Sequence, residues 1–238
     1  MSVIVPARNE AGNIEAAVRR TPPMGKWTEF IFVEGGSSDE TWAEIQKLPD
    51  MFPDRRITIM QQDGKGKKDA VYKGFAHAEG DILMILDADL TMPPEDLPKY
   101  YRAMAENTGE FINGVRLVYP MEGEAMRFLN LLANKFFSLA FSYILGQPYK
   151  DTLCGTKVMW REDYDRIVAN RHYFGDFDPY GDFDLIFGAA KLQLKAVQMP
   201  IRYRARTYGE TQITRFSGGW LLLKMTLIGF AKFKWYLR

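Results

Sequence analysis

Short apolar runs alternate along the chain with stretches whose apolar residues recur at helical spacing. Ser2 to Pro6, Glu29 to Val33, Ile57 to Met60, Ile82 to Leu86, Glu110 to Val115 and Lys195 to Ile201 read as strands. Several of these are too continuously apolar to leave one face in water. Asn9-Glu10 opens a helix with Ile14, Ala17 and Val18 on its apolar side, the turn Glu34 to Thr41 precedes one holding Trp42 and Ile45, and Gly64 to Lys68 leads into one holding Ala70, Val71, Phe75 and Ala76. Strands alternating with helices at this spacing predict an α/β fold, a mostly parallel sheet covered by helices.

Two later patterns are longer. From Ala125 to Gly146, Arg127, Asn130, Asn134, Ser138 and Ser142 recur at three- and four-residue steps, leaving Leu131, Leu132, Phe136, Phe137 and Leu139 to the rest of the circumference. A core helix with one wet edge and a helix with an apolar face on lipid both fit. Phe216 to Arg238 carries Trp220, Leu221 to Leu223, Leu227, Ile228, Phe230, Phe233 and Trp235, interrupted by Lys224, Lys232 and Lys234. Lysines inside the run rule out a clean span of ~20 apolar residues. An amphipathic helix at a membrane interface is expected, with docking onto the protein's own sheet as the alternative. The pattern is unbroken at Arg238, which leaves further membrane segments beyond it an open expectation.

With 238 residues, 47% of them hydrophobic, the chain can build one large core, and a single domain is expected. Its organisation reads as a first half, 1–115, a second half, 116–215, and the helix 216–238. The net charge of +1 hides an asymmetry: residues 191–238 hold ten Lys and Arg against one acid, Glu210, so the remainder carries −8. A basic end also rich in Leu, Phe and Trp suits an anionic membrane surface or a phosphorylated substrate better than nucleic acid. One cysteine, Cys154, permits no internal disulfide, and Ser2 to Val5 is too short for a secretory apolar region. The expected location is cytoplasmic, peripheral on the cytoplasmic face of a membrane.

Asp87-Ala88-Asp89 closes the strand Ile82 to Leu86, where ligands bind in open α/β sheets. Two acids one residue apart can hold a hard cation such as Mg or Mn through carboxylate oxygens and leave positions for phosphate. Asp-x-Asp after a strand is also a turn and helix-cap signal. Gly35 to Ser38 lacks the G-x-G-x-x-G spacing of a dinucleotide fold, and Gly64 to Lys68 lacks the gap and Ser/Thr of a P-loop. Dehydrogenase and P-loop ATPase are therefore excluded.

Val3 to Glu10, Val33 to Thr41, Lys65-Gly66 with Ala70 and Gly74, Ala78 to Asp81, and Leu86 to Leu90 occur in the order and spacing of the family 2 inverting glycosyltransferases. Asp87 to Pro94 with Glu95-Asp96-Leu97 most resembles the dolichyl or polyprenyl phosphate sugar-transferase branch. The resemblance implies a GT-A fold, a UDP- or GDP-linked sugar donor and a divalent cation on Asp87 and Asp89. It places Pro6, Ala7, Asn9, Glu10, Glu34, Gly36, Lys65, Gly66 and Ala88, with the two acids, around the nucleotide-sugar. Gly35 stands where the family usually has a second acid.

In the second half Asp151 to Gly155 resembles the family's Asp-x-x-x-Gly turn, and Gly181-Asp182-Phe183-Asp184-Leu185 resembles its Glu-Asp-x-Asp-Leu signature with Gly181 in place of the first acid. Arg206 to Thr211 resembles the branch's Arg-x-x-Gly-x-Ser segment. Arg202, Arg204 and Arg206 alternate with Tyr203 and Ala205, which predicts one arginine face. Arg116, Arg127, Asp151, Arg206 and Thr211 are expected on the acceptor side, because guanidinium donors bind phosphate oxygens in pairs. Gln212 to Phe216 resembles the signature of processive polysaccharide synthases but ends differently, and no processivity is inferred. Cys154 reads as structural, and the loop Tyr173 to Tyr180 as a lid candidate.

Together these readings predict metal-dependent, inverting sugar transfer to a polyprenyl phosphate, with Asp89 and Asp182 as the catalytic residues. A hydroxyl acceptor with Asp182 as general base is the alternative, since an alcohol needs deprotonation and a phosphate does not. Gly35 and Gly181 leave a third reading open, an inactive nucleotide-sugar-binding or membrane-scaffold protein.

Overall fold

The computed structural model describes residues 1–116, 128–173, 178, 181–209 and 215–234, with backbone only for 128–134 and 215–218. Seven strands form one sheet: β1 (Ser2–Ala7), β2 (Glu29–Glu34), β3 (Arg56–Gln61), β4 (Ile82–Ile85), β5 (Phe111–Val115), β6 (Lys157–Trp160) and β7 (Ala196–Pro200), in the order β3-β2-β1-β4-β6-β5-β7. All pairs are parallel except those made by β6, which runs antiparallel to both β4 and β5. The expected mostly parallel α/β sheet is therefore present.

Period-two alternation divides the side chains between two cores. Val3, Val5, Phe30, Phe32, Met84 and Leu86 meet α1 (Ile14–Arg19), α2 (Thr41–Met51) and α4 (Leu97–Ala105) on one face. Ile4, Ile31, Val33, Leu83 and Ile85 meet α3 (Gly66–Ala76), α5 (Phe128–Leu145), α6 (Arg161–Ala169), α7 (Asp182–Lys191) and α8 (Arg215–Phe233) on the other. Cutting a central side chain such as Phe30, wholly buried, to alanine costs about 3–5 kcal/mol in such a layer.

Three features differ from the sequence reading. The first α-helix begins at Ile14 rather than at Asn9-Glu10, because Asn9 takes a left-handed φ of 55° and only a short 3-10 turn, Ala11–Asn13, precedes the helix. Strand β6 and helices α4 and α6 were not anticipated; β6 is only four residues long and begins with a lysine. Residues 201–206 form no strand, so the arginines do not share a face: Arg202 and Arg204 are exposed while Arg206 turns inward. Of the lid candidate, 174–177, 179 and 180 lie outside the described residues.

The reversal at β6 has a positional effect. Ile82 pairs with Trp160 and Met84 with Val158, so the start of β6, Lys157, comes to the sheet edge where β4 ends and Asp87 follows.

Candidate active site

The loops after β1 and β2 are tied together by side chains. Asn9 N donates to Ser37 Oγ at 3.0 Å, Ser38 N to Asn9 Oδ1 at 2.8 Å and Glu10 N to Thr41 Oγ1 at 2.8 Å. Pro6 and Ala7 end β1 beneath these contacts. The Glu34 carboxylate is held within its own turn, accepting from Ser37 N at 2.5 Å and Gln61 Nε2 at 3.1 Å, while exposed Gly36 supplies the φ of 71° that turn requires. Asp39, not singled out from the sequence, accepts from Ala11 N, Thr41 N and Tyr208 Oη at 3.3, 3.0 and 3.1 Å. Partial burial opposes its charge, but the hydrogen bonds, Thr41's first among them, outweigh this and hold its carboxyl below the usual range.

A row of alternating charge crosses the C-terminal end of β4. Lys67 Nζ sits 2.6 Å from Asp87 Oδ1; Arg206 reaches Asp89 Oδ2 at 2.8 Å and also pairs with Glu10. Asp89 Oδ1 accepts from Thr91 N and Oγ1 at 3.0 and 2.9 Å, and Ala88 is buried between the two acids. The turn that presents them takes Leu90 to a φ of 50°, a left-handed conformation costing a branched residue about 1–2 kcal/mol. Burial works against the Lys67 ammonium, yet the charges of Asp87, Asp182 and Asp89 prevail and raise its pKa. Burial pushes the Glu10 carboxyl up against the opposing pull of Arg206.

The lysine in this row is Lys67. Lys65 is exposed, and with Gly66 it lines a separate cavity of about 740 Å³ that also includes Lys68, Tyr72 and Asp178. Gly155 closes the other side of the row; a Cβ there would collide with Asp87 Oδ2 and Lys67 Nζ.

Asp87 and Asp89 offer the hard oxygen donors that Mg or Mn prefers. Among the described residues no group of three or more metal-binding side chains exists, so protein ligands would fill only part of a coordination sphere and leave room for phosphate oxygens. The donor chemistry fits such a cation, with Lys67 and Arg206 the groups that would yield to it.

In the second half the charges lie deeper. Asp182 heads α7, but the amides of Phe183 and Asp184 donate to Asp178 Oδ2 at 2.7 and 3.1 Å, so Asp178 caps this end. Asp182 Oδ1 instead faces Lys157 Nζ at 3.3 Å, and the wholly buried lysine also donates to the Cys154 carbonyl. Arg116 grips Asp151 with Nε at 2.7 Å and a terminal nitrogen at 2.9 Å. Burial alone would raise the Asp151 pKa; Arg116 outweighs it and lowers the value. Burial pushes the Cys154 thiol up to about 11, the behaviour of a structural cysteine. Arg127 and Thr211 lie outside the described residues. Arg206, expected on the acceptor side, stands with Glu10 and Asp89.

The family model for glycosyl transferase family 2 matches residues 2–168. The chain is 29% identical over 218 residues to a dolichol-phosphate mannosyltransferase of Pyrococcus furiosus, covering 90% of the chain and 59% of that protein. It is 24% identical over 216 residues to an undecaprenyl-phosphate 4-deoxy-4-formamido-L-arabinose transferase of Enterobacter sp. (strain 638), covering 89% and 62%. The chain thus spans about three fifths of the length of these relatives. Among solved structures, glucosyl-3-phosphoglycerate synthase from Mycobacterium tuberculosis, in complex with Mn2+, UDP and glucosyl-3-phosphoglycerate, aligns with a TM-score of 0.65 at 19% identity over 98% of this chain and 79% of that one. The mannosyltransferase PcManGT from Pyrobaculum calidifontis, in complex with GDP-Man and Mn2+, aligns at 0.62 with 21% identity over 97% and 63%. At these identities the structures speak for the fold, a GT-A sheet. The family model covers more than half of the sequence, and the chain belongs to glycosyl transferase family 2.

Proposed function

We propose that this protein transfers a sugar from a UDP- or GDP-linked donor to the phosphate of a polyprenyl lipid, with inversion. The observation that carries the reading is the charge row Lys67–Asp87, Asp89–Arg206–Glu10, set at the C-terminal sheet edge beside the interlocked loops after β1 and β2. Lys67 and Arg206 are cations suited to diphosphate oxygens once their acids are otherwise neutralised. A divalent cation on Asp87 and Asp89 would supply further neutralisation of the diphosphate charge. The acceptor phosphate oxygen forms its bond to the anomeric carbon from the face opposite the leaving group, while the bond to the donor diphosphate breaks and its electron pair leaves with the nucleotide. An ionised phosphate brings no proton to remove, so Asp182, already engaged by Lys157, orients rather than abstracts. Arg116, committed to Asp151, shapes the acceptor side.

Placement at a membrane is supported by the surface. Seven of the ten large apolar side chains exposed among the described residues lie on two helices: Phe136, Leu139 and Tyr143 on α5, and Trp220, Leu223, Leu227 and Phe230 on α8. Neither helix contains an acid, and Lys135, Lys224 and Lys232 lie along them. Among the described residues no helix is long and apolar enough to cross a membrane. The two stripes fit a peripheral position on the anionic cytoplasmic face.

The test is a donor screen read by product mass spectrometry, using several nucleotide-sugars, a short-chain polyprenyl phosphate, and Mg or Mn. Product is expected from the wild type and loss of at least about 100-fold from Asp89→Ala. Asp182→Asn is expected to be nearly silent with the phosphate and severe with a hydroxyl acceptor. Absence of product with every donor and both acceptor classes would falsify the enzyme reading.

A further inference from the structure

The segment after β7 does not run away from the donor side; it crosses it. Arg204 N donates to the Thr91 carbonyl at 2.9 Å, beside Asp89, which fixes the start of the crossing. Arg206 then bridges Glu10 and Asp89, and Thr207 Oγ1 reaches Asn13 Oδ1 at 3.5 Å. Tyr208 Oη donates to Asp39 Oδ2 at 3.1 Å, and its ring rests on Gly12: a Cβ at Gly12 would lie 2.6 Å from Tyr208 Cδ2. Gly209, at a φ of 73°, approaches so closely that a Cβ there would lie 2.9 Å from the Asn9 carbonyl and 3.3 Å from Glu10 Oε2.

These contacts imitate a donor in kind as well as in place. A nucleotide would bring O–H and N–H donors to the acids of the loops after β1 and β2, and Tyr208 brings an O–H to Asp39. A donor's cation would bring positive charge to Asp89, and Arg206 brings a guanidinium. We propose that residues 206–209 form a strap that fills the donor groove as an internal mimic of the nucleotide and its cation, so that donor binding requires the strap to lift. The inference rests on the donor reading above. Lifting frees Glu10, Asp39 and Asp89 together and releases the Arg206 guanidinium for the incoming diphosphate. Nucleotide and cation are thereby admitted as a pair, since either alone displaces only part of the strap.

Tyr208 is 39% exposed, so removing its hydroxyl leaves the fold intact, a point that thermal melting checks. Calorimetry with UDP and GDP in the presence of Mn compares wild type with Tyr208→Phe. Loss of one hydrogen bond that holds the strap down should tighten nucleotide binding about two- to ten-fold. Hydrogen exchange of the backbone amides of 203–209 in the wild type should quicken at saturating nucleotide. Unchanged or weaker binding by Tyr208→Phe, or exchange that slows, would mean that the strap closes over the donor rather than blocking it, and overturns the proposal alone. If neither protein binds either nucleotide, the donor-site reading falls and the strap with it.

Discussion

On the side proposed to take the donor, Lys67 and Asp87 keep 25% and 33% of their side-chain surface in solvent, and Arg206 and Asp89 keep 22% and 17%. Across the sheet edge Lys157 keeps none and Asp182 9%, while Asp151, at 4%, is held by an Arg116 that keeps 27%. Both sides pair acid with base, yet water can replace a partner in Lys67–Asp87 and cannot in Lys157–Asp182. Charges that must exchange partners during a reaction stay near solvent, where separation is cheap. Charges that fix geometry are buried, where separation is expensive.

Removing one partner at a time separates the two classes. Lys157→Met leaves Asp182 buried without its cation and should cost about 3–5 kcal/mol, read as a lowered urea midpoint. Replacing both, as in Lys157→Met with Asp182→Leu, should return most of that stability. If the single variant costs less than 1 kcal/mol, the claimed contrast between the sides disappears. Lys67→Met should change stability by no more than about 1 kcal/mol while sharply reducing sugar transfer, because Asp87 retains water.

The smallest effect is a pH dependence. The folded-state pKa of Asp151 is depressed, so its pairing with Arg116 contributes stability that is fully present above the unfolded value near 4 and lost as pH falls through the lower folded value. Urea midpoints of wild type and Asp151→Asn should therefore converge as pH falls below about 4. Parallel curves over that range would show that Arg116 does not hold the carboxylate.

Six of the seven strands were legible because each is an apolar run bounded by turn residues. Strand β6 was not, since Lys157-Val158-Met159-Trp160 is short and the acid that neutralises its lysine lies 25 residues away. The same limit hid Lys67 behind Lys65. A signal was available: Lys67 lies three and four positions before Ala70 and Val71, on the buried stripe of α3, whereas Lys65 precedes the helix. Asp87 and Asp89 could be placed from the strand end alone. That Arg206 would meet Asp89 depends on a segment arriving from 117 residues away, which no local pattern encodes.

The lone antiparallel strand also governs the order in which the molecule can be assembled. Strand β4, the middle strand of the seven, has no partner on its β6 side until residues 157–160 arrive; before that, Ile82–Ile85 form an open sheet edge with unpaired backbone groups and apolar side chains on both faces. A ribosome releasing the chain in sequence therefore holds the first half, 1–115, unfinished for some seventy residues of synthesis, a long-range closure that slows folding. A fragment ending at Val115 would keep that edge permanently open and would be expected to self-associate rather than bind nucleotide.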